Sequence, residues 1–130
     1  MLDTHTLLWW VNRDTERLSK RAAKAIADEL GDGRIYVSSL TGWEIAHLVA
    51  HGRFTLGMAL ADWVAVVEDI PEVEFIPVDN TIAAASVALP PPFHRDPADR
   101  FIVATARKLS APLATIDDKI RAYPHVRTIW

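Results

Sequence analysis

The chain alternates short apolar runs with longer stretches whose apolar positions recur every three or four residues. Leu2-Asp3 reads as the end of a very short first strand, and Thr4 to Val11 as the helical turn behind it. Ser19 suits the N-cap of a helix running to about Leu30, which Gly31-Asp32-Gly33 ends. Arg34 to Ser38 is β-branched and aromatic enough for a buried strand. Ser38 or Ser39 then caps a helix to about His51, with Thr41, Ile45, Leu48 and Val49 at helical spacing and Gly52 as its stop. Met58 to Asp69 repeats that period through Leu60, Trp63, Val64 and Val67 and is stopped by Pro71.

The second half follows the same rhythm. Val73 to Val78 is a third strand, and Asp79 caps a helix to about Leu89. Pro90-Pro91-Pro92 forces an extended break, because proline fixes φ and disfavours helix in the residue before it. Asp96-Pro97 opens the next helix with an N-cap and a proline at its first position, and that helix runs through Ile102, Val103 and Ala106 to about Ser110. Leu113 to Ile116 is a fourth strand and Val126 to Trp130 a fifth. Strands alternating with helices predict an α/β fold: one domain over residues 1–130, a three-layer α/β/α sandwich around a mostly parallel sheet of four to five strands.

Composition narrows the class rather than the function. At 130 residues the chain is long enough for one well-buried core. It has no cysteine, which excludes a disulfide framework and a thiolate metal site and fits a reducing cytoplasm. The N-terminus carries no basic, secretory-type n-region, and the run Leu7 to Val11 is too short to span a bilayer. The expectation is a cytoplasmic protein without a membrane partner. A net charge of −3 argues against a general nucleic-acid coat protein. No glycine-rich phosphate loop of either common spacing is present, which disfavours P-loop and dinucleotide enzymes.

The chemistry lies in Asp3, Glu44, Asp99 and Asp117. Asp3 and Asp117 each follow an apolar strand, so both fall on the carboxyl edge of the sheet. Glu44 sits in the second turn of a helix that leaves that edge. Asp99 opens a helix that leads into a parallel strand, so its N-terminus faces the same rim. Carboxylates gathered there repel one another by several kcal/mol a pair unless a hard cation or a proton intervenes. Mg²⁺ or Mn²⁺, one ion or two, suits an all-oxygen donor set and the hydrolysis of a phosphodiester.

Plainer readings stand beside this one. Asp96 is explained by helix capping, Asp99 by the helix dipole, Asp3 by a cap and Asp117-Asp118 by a turn. Glu44, flanked by Trp43 and Ile45, is harder to dismiss, since a half-buried glutamate needs a partner. His47 and His51 are spaced for a metal pair, although His51 at a helix C-terminus serves the dipole more simply. Trp9, Trp10, Trp43, Trp63 and Trp130 at helical spacing read as core before they read as base-stacking platforms. Arg13, Arg17, Lys20, Arg21 and Lys24 fit either a phosphate path or a solvated helix face.

Four segments carry a resemblance. LDTHTLLWW (residues 2–10), SSLTGWEIA (38–46), HRDPADRFIVATA (94–106) and LATIDDK (113–119) resemble the PIN-domain ribonucleases, and among them VapC-type toxins of toxin–antitoxin pairs. The resemblance covers essentially the whole chain. It implies that Asp3, Glu44 and Asp99 match the family's core acids and Asp117 its more variable fourth. It also implies Mg²⁺ or Mn²⁺ as cofactor and cleavage of single-stranded RNA regions by metal-activated water. Thr4 and Thr115 then fall where the family often places a hydroxyl near the site. A small antitoxin across the active-site groove and a homodimer are the implied partners, with the Leu8–Val11 turn and the Leu60–Trp63 helix as a candidate contact surface. The first strand is shorter than is usual in that family.

Two other classes compete. A PIN-like module that binds RNA or protein without cutting needs fewer acids than the full set found here. A phospho-accepting receiver domain wants a paired acid after its first strand and a lysine after its last, and the chain has neither.

Overall fold

The computed structural model describes residues 1–130. Helix α1 spans Thr4–Val11, α2 Lys20–Glu29, and strand β1 Ile35–Ser38. Helices α3 (Leu40–Ala50) and α4 (Leu60–Glu68) precede β2 (Val73–Ile76), α5 (Asn80–Val87) and α6 (Pro97–Lys108). The chain closes with β3 (Leu113–Ala114), the short helix α7 (Asp118–Arg121) and β4 (Thr128–Ile129).

Strand β1 pairs in parallel with β2, Ile35 opposite Val73 and Ser38 opposite Ile76, and β3 pairs in parallel with β4. Leu2 joins the two ladders by parallel bridges to Val37 on one side and Ala114 on the other. Leu2 N–H donates to Tyr36 O at 2.9 Å, Asp3 N–H to Ala114 O at 3.1 Å, and Ala114 N–H to Met1 O at 2.9 Å. The resulting order is β2, β1, Leu2, β3, β4, all parallel, and the expected first strand is reduced to that single central residue. The other strands are also shorter than the apolar runs suggested. Helices take over early, as where Ser38 Oγ accepts from Leu40 N–H at 3.3 Å and α3 begins directly after β1.

Alternation along the strands sorts the core onto two faces, as the pleat requires. Leu2, Ile35, Val37 and Ala114 join Leu7, Leu8, Ile26, Ile45, Trp63 and Val67 on one side. Met1 and Leu113 join Ile82, Ile102, Val103, Ala106, Ile120 and Tyr123 on the other, where Tyr36 and Ile76 also pack. Helices α1 to α4 thus cover one face and α5 to α7 the other, which is the expected three-layer sandwich.

Some expectations fail here. Of the tryptophans only Trp63 is fully buried; Trp43 is 58% exposed. Helix α3 carries apolar residues on several sides, so its sequence did not reveal which side faces water. The candidate contact surface of Leu8–Val11 with Leu60–Trp63 is largely interior: Leu8 and Trp63 belong to the core, and Trp10, Val11 and Leu60 pack against it. The basic residues of α2 and the segment before it lie on solvated faces, with Arg17 paired to Asp14 and Lys24 to Asp28. No helix is long and apolar enough to cross a membrane.

Candidate active site

Asp3, Glu44, Asp99 and Asp117 all line one cavity of about 470 Å³ at the carboxyl edge of the sheet, and Asp96 joins them. Three of these acids are helix caps as well as cavity walls. Asp3 Oδ1 accepts from Thr6 N–H at 2.7 Å and starts α1. Asp96 Oδ1 accepts from Ala98 N–H at 3.0 Å and Asp99 N–H at 3.3 Å, starting α6 at Pro97. Asp117 Oδ1 accepts from Lys119 and Ile120 N–H at 2.8 and 3.0 Å, starting α7. Capping and cavity lining are therefore not rival readings. The same turn that needs an acceptor for its free N–H groups aims a carboxylate at the rim.

Buried hydroxyls hold the set in place. Thr4 Oγ1 donates to Glu44 Oε2 and lies 3.4 Å from Thr41 Oγ1. Thr115 Oγ1 accepts from Asp117 N–H at 3.0 Å. Each hydroxyl satisfies a group that would otherwise be costly to bury.

Electrostatics bind the acids into one system. Burial raises the pKa of Asp99 from 3.8 to about 7, and Asp96, Asp117, Glu44 and Asp3 push it in the same direction. Burial also raises Asp3 and Glu44, while the Thr115 and Thr6 groups beside the first and the Thr4 hydroxyl on the second pull the other way. No three carboxylate or imidazole side chains stand close enough together to chelate an ion directly. Mg²⁺ and Mn²⁺ keep several waters and need few direct ligands, so a wide oxygen-only set with uncompensated negative charge fits them.

Further side chains line this cavity or stand beside it. Arg53 lines the cavity. His94 Nε2 is buried without a hydrogen-bond partner and lies 3.5 Å from Asp99 Oδ2. Arg100 fixes the loop that carries His94, donating to His94 O at 3.0 Å and to Ser86 O and Val87 O at 2.8 and 3.1 Å. In doing so it caps the free carbonyls ending α5. Trp43 and His47 line the cavity as well. The sequence signal for His94 was its place two residues before Asp96; nothing marked Arg53. His51 Nδ1 is engaged with His47 O at 2.8 Å, and no third His, Asp or Glu joins His47 and His51 in a group that could hold a metal.

The fold is thus a parallel-sheet sandwich with an acidic cavity at its strand ends. The PIN domain profile matches residues 1–126, and the chain belongs to the PIN-domain family. It is 35% identical over 134 residues to Ribonuclease VapC22 of Mycobacterium tuberculosis, covering 100% of this chain and 97% of that protein. Its fold superposes on the crystal structure of VapBC2 from Rickettsia felis bound to a DNA fragment from their promoter. The TM-score is 0.69 at 15% identity, with 98% of this chain and 95% of that one covered. The crystal structure of FitAcB from Neisseria gonorrhoeae gives a TM-score of 0.66 at 20% identity, covering 98% and 94%.

Proposed function

We propose that the protein is a Mg²⁺- or Mn²⁺-dependent endoribonuclease that hydrolyses phosphodiester bonds in single-stranded regions of RNA. The observation that carries this reading is the crowding of Asp3, Glu44, Asp96, Asp99 and Asp117 around one cavity, with Asp99 raised to about 7 by burial and by the other four. Asp3, Glu44, Asp99 and Asp117 would hold the cation, one ion or two, with waters completing its coordination. A cation there would supply a water of lowered pKa and neutralise phosphodiester charge.

The protein's own groups do the positioning. Thr4 orients Glu44, Thr115 holds Asp117 at the start of α7, and His94 faces Asp99. Arg53 provides a cation at the cavity wall for a backbone phosphate. The likeness to Ribonuclease VapC22 and to toxin–antitoxin structures supports a toxin role with a small antitoxin as partner, and the proposal includes a homodimer acting in the cytoplasm.

The test is incubation of a total RNA pool with Mg²⁺ or Mn²⁺, with EDTA controls, for wild type and Asp99→Asn. Cutting that needs metal and disappears in the variant supports the reading. Equal cutting by both proteins removes Asp99 from the chemistry. RNA binding without cutting by wild type makes the protein a non-catalytic binding module instead.

A further inference from the structure

We infer that Trp43, with His47 stacked on it and His51 tilted against His47, is a platform on which a base of single-stranded RNA lies beside the carboxylate cavity; this rests on the nuclease reading above. The three residues are spaced by four along α3 and so share one side of the helix. The Trp43 and His47 rings are 5.3 Å apart and only 23° from parallel, and His47 and His51 rings are 4.1 Å apart at 38°. The far end of the stack is held by the His51 Nδ1 contact with His47 O at 2.8 Å. Such a stack fixes the Trp43 ring while leaving the residue 58% exposed to water.

Position selects the occupant. Trp43 and His47 line the same cavity as Glu44, Asp99 and Arg53, so the platform is continuous with the site where a phosphodiester is to be cut. The cavity is acidic and the whole chain carries −3, so attraction to the phosphate backbone cannot by itself hold RNA there. Stacking supplies affinity that is independent of that charge and tolerant of base identity. It requires an unpaired base with a free face, which selects single-stranded over duplex RNA.

The test measures anisotropy of a fluorescein-labelled single-stranded oligoribonucleotide in Mg²⁺, with every variant built on Asp99→Asn. Trp43→Ala and Trp43→Leu each weaken binding by roughly 10-fold, while Trp43→Phe stays within about 3-fold, since it keeps a π face. Oligonucleotides with one abasic site, moved along the chain, lose roughly 10-fold at one position with Trp43 present and nothing further in Trp43→Ala. Unchanged affinity in Trp43→Ala overturns the inference, as does full affinity in Trp43→Leu. A Trp43→Ala variant that binds RNA normally but loses a partner protein reassigns the platform to a protein contact and also overturns it.

Cleavage by the wild type separates this inference from the nuclease reading. If wild type cuts RNA with metal and Trp43→Ala binds unchanged, the platform fails and the nuclease stands. If wild type never cuts yet Trp43→Ala loses binding as stated, the platform stands and the nuclease fails.

Discussion

Replacing Asp99 by Asn stabilises the metal-free protein while removing its activity. Asp99 is 25% exposed at its side chain and has its pKa raised from 3.8 to about 7. A group whose folded pKa is raised binds its proton more tightly when native, so its contribution to stability falls as pH rises between those two values. Below 3.8 the folded and unfolded forms are both protonated and the effect vanishes. Above 7 both are ionised, and the native state bears a cost of up to about 4 kcal/mol at about 1.4 kcal/mol per tenfold in acidity. Asn keeps the shape and drops the charge. In EDTA at about pH 8 the variant therefore melts higher by roughly 10 °C for a chain of this size. The gain shrinks toward zero near pH 4, and Mg²⁺ narrows it by stabilising the wild type more than the variant. Thermal melts of both proteins across this range, with and without Mg²⁺, supply the readout. Equal stability at pH 8, or a difference that does not change with pH, would refute the claim that burial and the neighbouring carboxylates raise the Asp99 pKa in the cavity.

Two other substitutions probe the supports of the site. His94→Ala removes the imidazole 3.5 Å from Asp99 Oδ2 and weakens Mg²⁺ binding by roughly 10-fold, read by calorimetric titration, with the fold intact by circular dichroism. Trp63→Ala costs about 3–5 kcal/mol in urea denaturation, because Trp63 is core at 3% exposure; unchanged stability would return it to the surface.

Much of this site is legible in the sequence because strand-end geometry is a strong constraint. Asp3 and Asp117 follow strands, while Glu44 and Asp99 ride on helices that leave the same edge, and all four line one cavity. The alternation that sorts Leu2, Val37 and Ala114 onto one face and Met1 and Leu113 onto the other follows from period-two strands. The residues missed depend on long-range packing. His94 reaches Asp99 only because Arg100 ties its loop to the end of α5. Trp43 faces solvent because Thr41, Ile45 and the partly buried Leu48 turn the other sides of α3 inward. Helix α7, at four residues, is too short to show a period, so Asp117 reads as a turn until its two backbone donors are seen.

The most direct measurement is anomalous diffraction from a crystal soaked in Mn²⁺, which marks the ion without relying on activity. The predicted result is a peak inside the cavity lined by Asp3, Glu44, Asp99 and Asp117, lost in Asp99→Asn. A peak elsewhere on the chain with this cavity empty at saturating Mn²⁺ would contradict a metal-dependent nuclease centred on these acids.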